Sequence, residues 1–381
     1  MSIVGSLKVI SSRLKQARES AGLSTRTAAG RLQSLGHAIT YATISNYENC
    51  KTVPPLAILD AFAAIYDRKR EWFYAEGPTL SGIRYRAIQA VRVGEKRTFE
   101  GEALGWLTAY LAVEKVIDDP RKWPEDFKVE PNDSGPAVAE KLRKASKLVD
   151  LPIPSIVRLA ENIGIRVIQV ATEARIDGFA AMLDGVAVMA VNANLSGDRM
   201  RMNVAHEIAH HLFADCVKST TLSEKEIERR AMDCGSHLLI PDQAIEDAIK
   251  LKSMVRLVQY KERFGVSLAA MIFRGKALGL LTEQEYQRLW IEFGRLGWRK
   301  DEPGYVPPDR PMRMESLFDA AVNQNKMTYT QIATLAGLDE RVVRQRVMSA
   351  VGGMSEAVDG RRELNPMRID NYRPNSGSKE M

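Results

Sequence analysis

The sequence predicts an α+β protein that is mainly helical: an N-terminal helix-turn-helix bundle, then a domain with a small β-sheet and a metal-ligating helix, then a helical C-terminal region. Three observations carry that prediction. Residues 199–215, RMRMNVAHEIAHHLFAD, place His206, Glu207 and His210 in the spacing His-Glu-x-x-His on an uninterrupted helical pattern. Just upstream, the run 179–192 is apolar and broken by Asp184-Gly185, a two-residue hairpin signal. The first quarter of the chain is a series of short helical segments separated by caps, glycines and prolines.

A chain of 381 residues, 45% of them hydrophobic, is long enough for two or three domains, each with its own core. No apolar run reaches the length of a membrane span, and the N-terminus lacks the charged-then-apolar pattern of a signal peptide, so a cytoplasmic protein without membrane contact is expected. Cys50, Cys216 and Cys234 stand at unrelated spacings without a Cys-x-x-Cys pair, which reads as free thiols. The net charge of +6 is uneven: residues 1–97 hold 15 Lys+Arg against 7 Asp+Glu, a local +8. The basic excess points to an anion-binding module at that end.

Residues 7–21 form an amphipathic segment with Ile10, Leu14 and Ala17 on one stripe, ending at Gly22. Ser24 caps a short helix with Ala28, Ala29 and Leu32, and Thr40 caps a third, 41–46. Pro54 and Pro55 close the unit, and 56–66 supplies an apolar helix to cover it. Over about 70 residues this stretch resembles the Cro/phage-repressor (Xre-type) helix-turn-helix domain, through SLKVISSRLKQARESAGLSTRTAAGRL and TISNYENCKTVPPLAILDAFAAIY. The resemblance implies double-stranded DNA as partner, with the third helix in the major groove. By position, Tyr41, Thr43, Ser45 and Asn46 would read bases, while Lys51, Arg26 and Arg31 would touch phosphates. Ile44 and Tyr47 read as core, and QSLGHAI makes the turn before the third helix longer than usual.

Domain boundaries are expected at 1–76 for the bundle, 77–136 for a connector, 137–250 for the metal-binding domain, 251–350 for the helical C-terminal region and 351–381 for a disordered tail. Within the connector, 84–93 alternates like a strand, 98–117 is helical, and Pro120, Pro124, Pro131 and Pro136 mark a loop. Two helices, 137–149 and 156–163, then a strand, 165–171, lead to the hairpin. Its second strand, 186–191, beside the metal helix, is a candidate to guide a peptide backbone by strand addition, or else simply core. Helices at 254–264, 267–278 and 282–296 follow. The pattern YTQIATLAGLDERVVRQRV, with helix, Gly337 turn and helix, reads either as a second helix-turn-helix or as a helical lid or dimer element.

The chemistry sits on 199–215. One helical turn separates His206 from His210, so both imidazoles project from one face and can take two positions of a tetrahedral Zn²⁺. Glu207, on the neighbouring stripe, is placed as general base. A third ligand is expected from SEKEIERRAMDCGSHLLIP, which opens with a Ser223/Glu226 capping box and stops before Pro241. Glu228 lies on its apolar stripe with Ala231 and Gly235 and is the candidate; Glu224, Glu226 and Asp215 are alternatives. His211 reads as a supporting or surface residue, and His237 is out of phase with Glu228.

The run GFAAMLDGVAVMAVNANLSGDRMRMNVAHEIAHHLF followed by ERRAMDCGSHLLIP resembles the ImmA/IrrE family of zinc metallopeptidases over residues 150–245. The resemblance implies a zincin-like metallopeptidase fold, with metal on His206, His210 and Glu228, Glu207 as the catalytic base, and a repressor protein as substrate, cleaved to derepress stress or mobile-element genes. Met232 stands where the family has Asn and Cys234 where it has Phe. The lost Asn removes a hydrogen bond of the kind that tunes a metal site. Mn²⁺ or Fe²⁺ could occupy the same ligands as Zn²⁺, and a homodimer is left open. The competing expectation is a non-enzymatic DNA-binding repressor whose metal is structural or sensory; Glu207 argues against it, since a purely structural site needs no carboxylate beside the metal.

Overall fold

The computed structural model describes residues 3–74, 77–87, 91–123, 127–130, 132–217, 222–250 and 252–359. Its first unit holds helices α1 (Ile3–Ser20), α2 (Thr25–Ser34), α3 (Tyr41–Glu48) and α4 (Leu56–Ile65), closed by a 3-10 turn, Arg70–Tyr74. Strand β1 (Leu80–Ala87) and the long helix α5 (Val93–Ile117) follow, then α6 (Gly135–Ala145), α7 (Ile156–Asn162), β2 (Arg166–Val170), β3 (Ile176–Leu183) and β4 (Val186–Asn192). The remainder is helical: α8 (Gly197–Leu212), α9 (Glu224–Leu239), α10 (Asp242–Lys250), α11 (Met254–Phe264), α12 (Leu268–Ala277), α13 (Glu283–Arg295), α14 (Arg313–Asn323), α15 (Tyr329–Ala336) and α16 (Glu340–Asp359). No helix among the described residues is long and apolar enough to cross a membrane.

In the N-terminal bundle, Ile10, Leu14, Ala28, Leu32, Ile44 and Phe62 share one core. Ser24 and Thr40 cap α2 and α3 as their spacing predicts, each accepting from a backbone N–H three residues on. A buried ion pair that the periodicity does not reveal ties α1 to α3: Arg18 donates to both carboxylate oxygens of Glu48, at 2.6 and 2.8 Å, and to the Leu23 carbonyl.

The sheet has the order β1-β3-β4-β2, with β2 and β4 parallel and the other pairs antiparallel. Asp184 and Gly185, with φ of 48° and 81°, form the hairpin turn between β3 and β4, since both positions need the left-handed region. Strands β2, β3 and β4 bury both faces. Val188 and Ala190 of β4 face a core made with α5, α14, α15 and α16, while Met189 and Val191 face one made with α6 to α13. This double burial explains why 179–192 reads as a continuous apolar run rather than a strict alternation.

Two expectations change here. The stretch read as a connector contributes an edge strand and a core helix: β1 pairs with β3 from Leu80↔Leu183 onward, and Phe99, Trp106, Leu107 and Tyr110 of α5 are buried against the sheet. Of the four prolines that mark its loop, Pro120 follows α5 and Pro136 lies in the first turn of α6, while Pro124 and Pro131 lie outside the described residues. Residues 351–359, expected in a disordered tail, instead continue α16 to Asp359; residues 360–381, the rest of that expectation, lie outside the described residues.

Behind the sheet, burial pushes the carboxyl of Glu161 at the end of α7 up to about 7, with Arg313 opposing the shift, and its Oε1 lacks a hydrogen-bond partner. A carboxyl whose folded-state pKa is raised adds stability below its unfolded value near 4.5, and that contribution is lost as pH rises through about 7. Glu161→Gln should therefore gain up to about 3 kcal/mol relative to the parent between pH 5 and pH 8. Paired thermal melts at the two pH values check this; an equal difference at both would show that Glu161 is already satisfied.

Candidate metal centre

Helix α8 is buried along almost its whole length, from Met200 to Leu212, between the sheet and α9. Its neighbour α9 starts at the expected capping box, with Ser223 and Glu226 each bonding the other's backbone. The two helices meet at Gly235, where an added Cβ would lie 2.9–3.2 Å from the backbone of Ala205 and His206. This approach brings Glu228, two turns earlier on α9, over the His pair.

His206 Nε2 and His210 Nε2 are 3.1 Å apart. The Glu228 carboxylate reaches both, at 3.2 Å and 3.5 Å. All three donor atoms fall within 4.8 Å of one another, a group that could hold a metal ion. A tetrahedral ion with bonds of about 2.0–2.1 Å spaces its ligand atoms about 3.3 Å apart, so the observed spacings fit. The imidazole tautomers fit as well. Asp215 lies 2.9 Å from His210 Nδ1 and accepts from a protonated nitrogen there, which leaves Nε2 with its lone pair facing the other donors.

The electrostatics separate the neighbouring groups. Burial pushes His206 down to about 4, so this ring is neutral over the physiological range. For His210, burial opposes the charged form, but hydrogen bonds with Asp215 and Glu228 outweigh it and raise the ring to about 9, so without an ion Nε2 also carries a proton near neutral pH, and a metal bound there would displace it. Glu228 is held well below the usual carboxylate range; burial acts against this, and its hydrogen bonds to both imidazoles prevail. Glu207 is fully buried beneath β3, with the Ala180 amide beside it but neither oxygen in a completed hydrogen bond, and burial pushes its carboxyl up to about 7. A buried carboxyl without partners is costly and marks a position retained for something other than stability.

The alternative third ligands are engaged elsewhere. Glu224 forms an ion pair with Arg84 of β1 at 2.5 Å, Glu226 closes the capping box, and Asp215 sits behind His210 with Arg230 at 2.7 Å on its other oxygen. His211 lies 3.0 Å from the Val188 carbonyl of β4, and His237 bonds the Asp233 carbonyl, away from the donor set. Of the two positions where the sequence departs from the family pattern, Met232 is exposed and Cys234 is fully buried in the core. The strand-addition candidate fails on topology: β4 is paired on both sides, by β3 and β2, and the outer edge of β3 is taken by β1.

Sequence reasoning named Asp215 only as an alternative ligand and missed Arg86 altogether. Asp215 stands five residues past His210, close enough to have been read as its partner. Arg86 carries no local signal, because it arrives on β1 from more than a hundred residues away; it reaches the Met202 carbonyl and lies 3.9 Å from Asp177, and its charge acts on Glu207 and Glu228. Carboxylates behind metal-ligating histidines commonly set ligand orientation, so Asp215→Asn should weaken metal binding about 10- to 100-fold. Competition with a chromogenic chelator measures this, and an unchanged affinity would reduce Asp215 to a packing role.

In the N-terminal bundle, Tyr41 is exposed at the start of α3 and its ring lies under Arg26. Thr43 and Thr40 share a hydroxyl hydrogen bond of 2.9 Å, and Ser45 accepts from Asn49. Asn46 is partly exposed, while Arg26, Arg31 and Lys51 are exposed and Ile44 and Tyr47 are buried. The turn between α2 and α3 spans 35–40.

A helix that presents two imidazoles one turn apart, beneath a small sheet and beside a crossing helix that adds a carboxylate, defines a metallopeptidase-type centre. Family comparison makes this particular: residues 160–276 match the IrrE N-terminal-like domain (Peptidase_M78), and residues 10–71 match a helix-turn-helix domain. No curated protein matches the chain. The protein thus joins a helix-turn-helix DNA-binding domain to an IrrE/ImmA-like peptidase domain.

Proposed function

We propose that the protein is a DNA-binding transcriptional regulator and a zinc-dependent endopeptidase of the His-Glu-x-x-His type, whose substrate is a repressor protein cleaved to derepress stress or mobile-element genes. The observation that supports this most directly is the convergence of His206, His210 and Glu228 beside an unpartnered, buried Glu207. His206, His210 and Glu228 would hold the ion. A bound Zn²⁺ supplies Lewis acidity and lowers the pKa of water.

The remaining roles fall to the chain. Glu207, whose carboxyl is pushed up to about 7, is suited to take a proton from the attacking water and return it to the leaving amine. Asp215 orients His210, and Arg230 holds Asp215 in place. The side chain of Glu228 is 44% exposed, so the donor set opens to solvent on the α9 side. At the other end of the chain, Tyr41, Thr43, Ser45 and Asn46 would meet base edges, with Lys51, Arg26 and Arg31 on phosphates.

Elemental analysis of the purified chain tests the metal half. About one equivalent is expected for a single site of this kind, lost in Glu228→Ala. Absence of metal after reconstitution with Zn²⁺ would leave a DNA-binding protein with an inert second half.

A further inference from the structure

We propose that α14, α15 and α16 form a second DNA-reading unit, so that one chain carries two recognition helices. The inference starts from register. In α2 the N-cap is Ser24, and Ala28, Ala29 and Leu32 are buried four, five and eight residues later. In α15 the N-cap is Thr328, and Ile332, Ala333 and Ala336 are buried at the same three offsets. The next helix also buries a pair about one turn apart, Ile44 and Tyr47 in α3, Val343 and Val347 in α16.

Local geometry agrees with the register. α15 and α16 are joined by three residues, 337–339, and Gly337 takes the left-handed conformation that this tight corner requires, with φ of 67°. The turn is shorter than its counterpart at 35–40 and nearer the usual helix-turn-helix length. α14 completes the trihelical core through Leu317, Phe318 and Ala321.

Packing then decides which helix faces outward. α15 is pinned to α5, where an added Cβ on Gly105 would lie 2.5 Å from the Ala336 carbonyl. α14 lies on α5 as well, with Arg313 bonded to Tyr110 and Glu114. α16 rests on α14 and α15 and leaves its outer face open. On that face the side chain of Arg341 is 92% exposed and that of Arg344 53%, and Val342, Gln345 and Met348 are exposed with them.

The chemistry of the face suits a duplex. Thr328, Thr330 and Gln331 at the start of α15, with Lys326 before it, line a groove shared with Arg344, where a helix-turn-helix unit grips the phosphate backbone. Arg341 and Gln345, one turn apart on α16, are of the types that contact guanine and adenine edges. The acids nearby are held in local pairs, Asp339 with Arg341 and Glu340 with Arg344 and Thr330.

The test selects binding sites from a random double-stranded DNA pool with the full chain, and repeats the selection with Arg341→Ala/Gln345→Ala and with Ser45→Ala/Asn46→Ala. The wild type should select a two-part sequence. The α16 variant should melt like the wild type, lose one part, and bind the selected duplex about 5- to 100-fold more weakly, the effect of losing one or two base contacts. The α3 variant should lose the other part. An unchanged sequence and affinity for the α16 variant, with the α3 variant impaired, would overturn the inference, leave the N-terminal reading intact and assign the α16 face to protein contacts. No selected sequence from the wild type would overturn both.

Discussion

Glu207→Gln protein should purify with the metal content of the wild type and cleave its substrate about 10²- to 10⁴-fold more slowly, the range that a positioned general base contributes. The geometry makes the two readouts separable. Glu207 projects one residue on from His206, toward β3 and the Ala180 amide, while the His206 and His210 donor atoms meet the Glu228 carboxylate that reaches over from α9. Glutamine has the same shape and removes the charge, so the ligand set is undisturbed. The buried site should accept the change readily, because a carboxyl without partners is replaced by a neutral amide. Mass spectrometry of proteins incubated with wild type and variant would read the cleavage, and elemental analysis the metal. Loss of metal in the variant would make Glu207 a ligand; full activity would remove it from the chemistry.

The second large effect comes from a residue with no chemistry of its own. Gly235→Val should lose stability by about 1–3 kcal/mol, the usual cost of forcing extra volume into a packed contact, and should bind metal at least about tenfold more weakly. The atoms that a Cβ would meet are backbone, the Ala205 carbonyl and the His206 nitrogen, which cannot rotate away as a side chain can. α9 must therefore move off α8, and Glu228, on the same face two turns earlier, moves with it. Thermal melting and chelator competition report the two parts separately. Wild-type behaviour in both would mean that the helices have slack at this crossing and that something else sets the Glu228 position.

Much of the site was legible because its signals are local. A helical spacing of four puts His206 and His210 on one face whatever surrounds them, and the Ser223/Glu226 box fixes where α9 begins. From there the stripe through Ala231 and Gly235 sets the phase of Glu228. The hairpin at Asp184-Gly185 and the caps at Ser24 and Thr40 were readable for the same reason: a few neighbouring residues satisfy their own backbone. The residues that failed to announce themselves are those whose partners are remote. Arg18 finds Glu48 across the bundle, and Arg86 reaches α8 from a strand that reads as part of a connector.

The sequence by itself determined the elements, their caps, the identity of the two motifs and the donor types, since each depends on periodicity and on backbone groups satisfied within a few residues. Only the tertiary structure decided the rest. It placed β4 between β3 and β2 and so closed strand addition at 186–191, and it assigned Asp215 to the back of His210 and Glu228 to the front. It also set α15 against α5 so that α16 faces outward. These choices depend on which surfaces exclude water together, and that is a property of chain segments far apart in sequence, on which no local pattern reports.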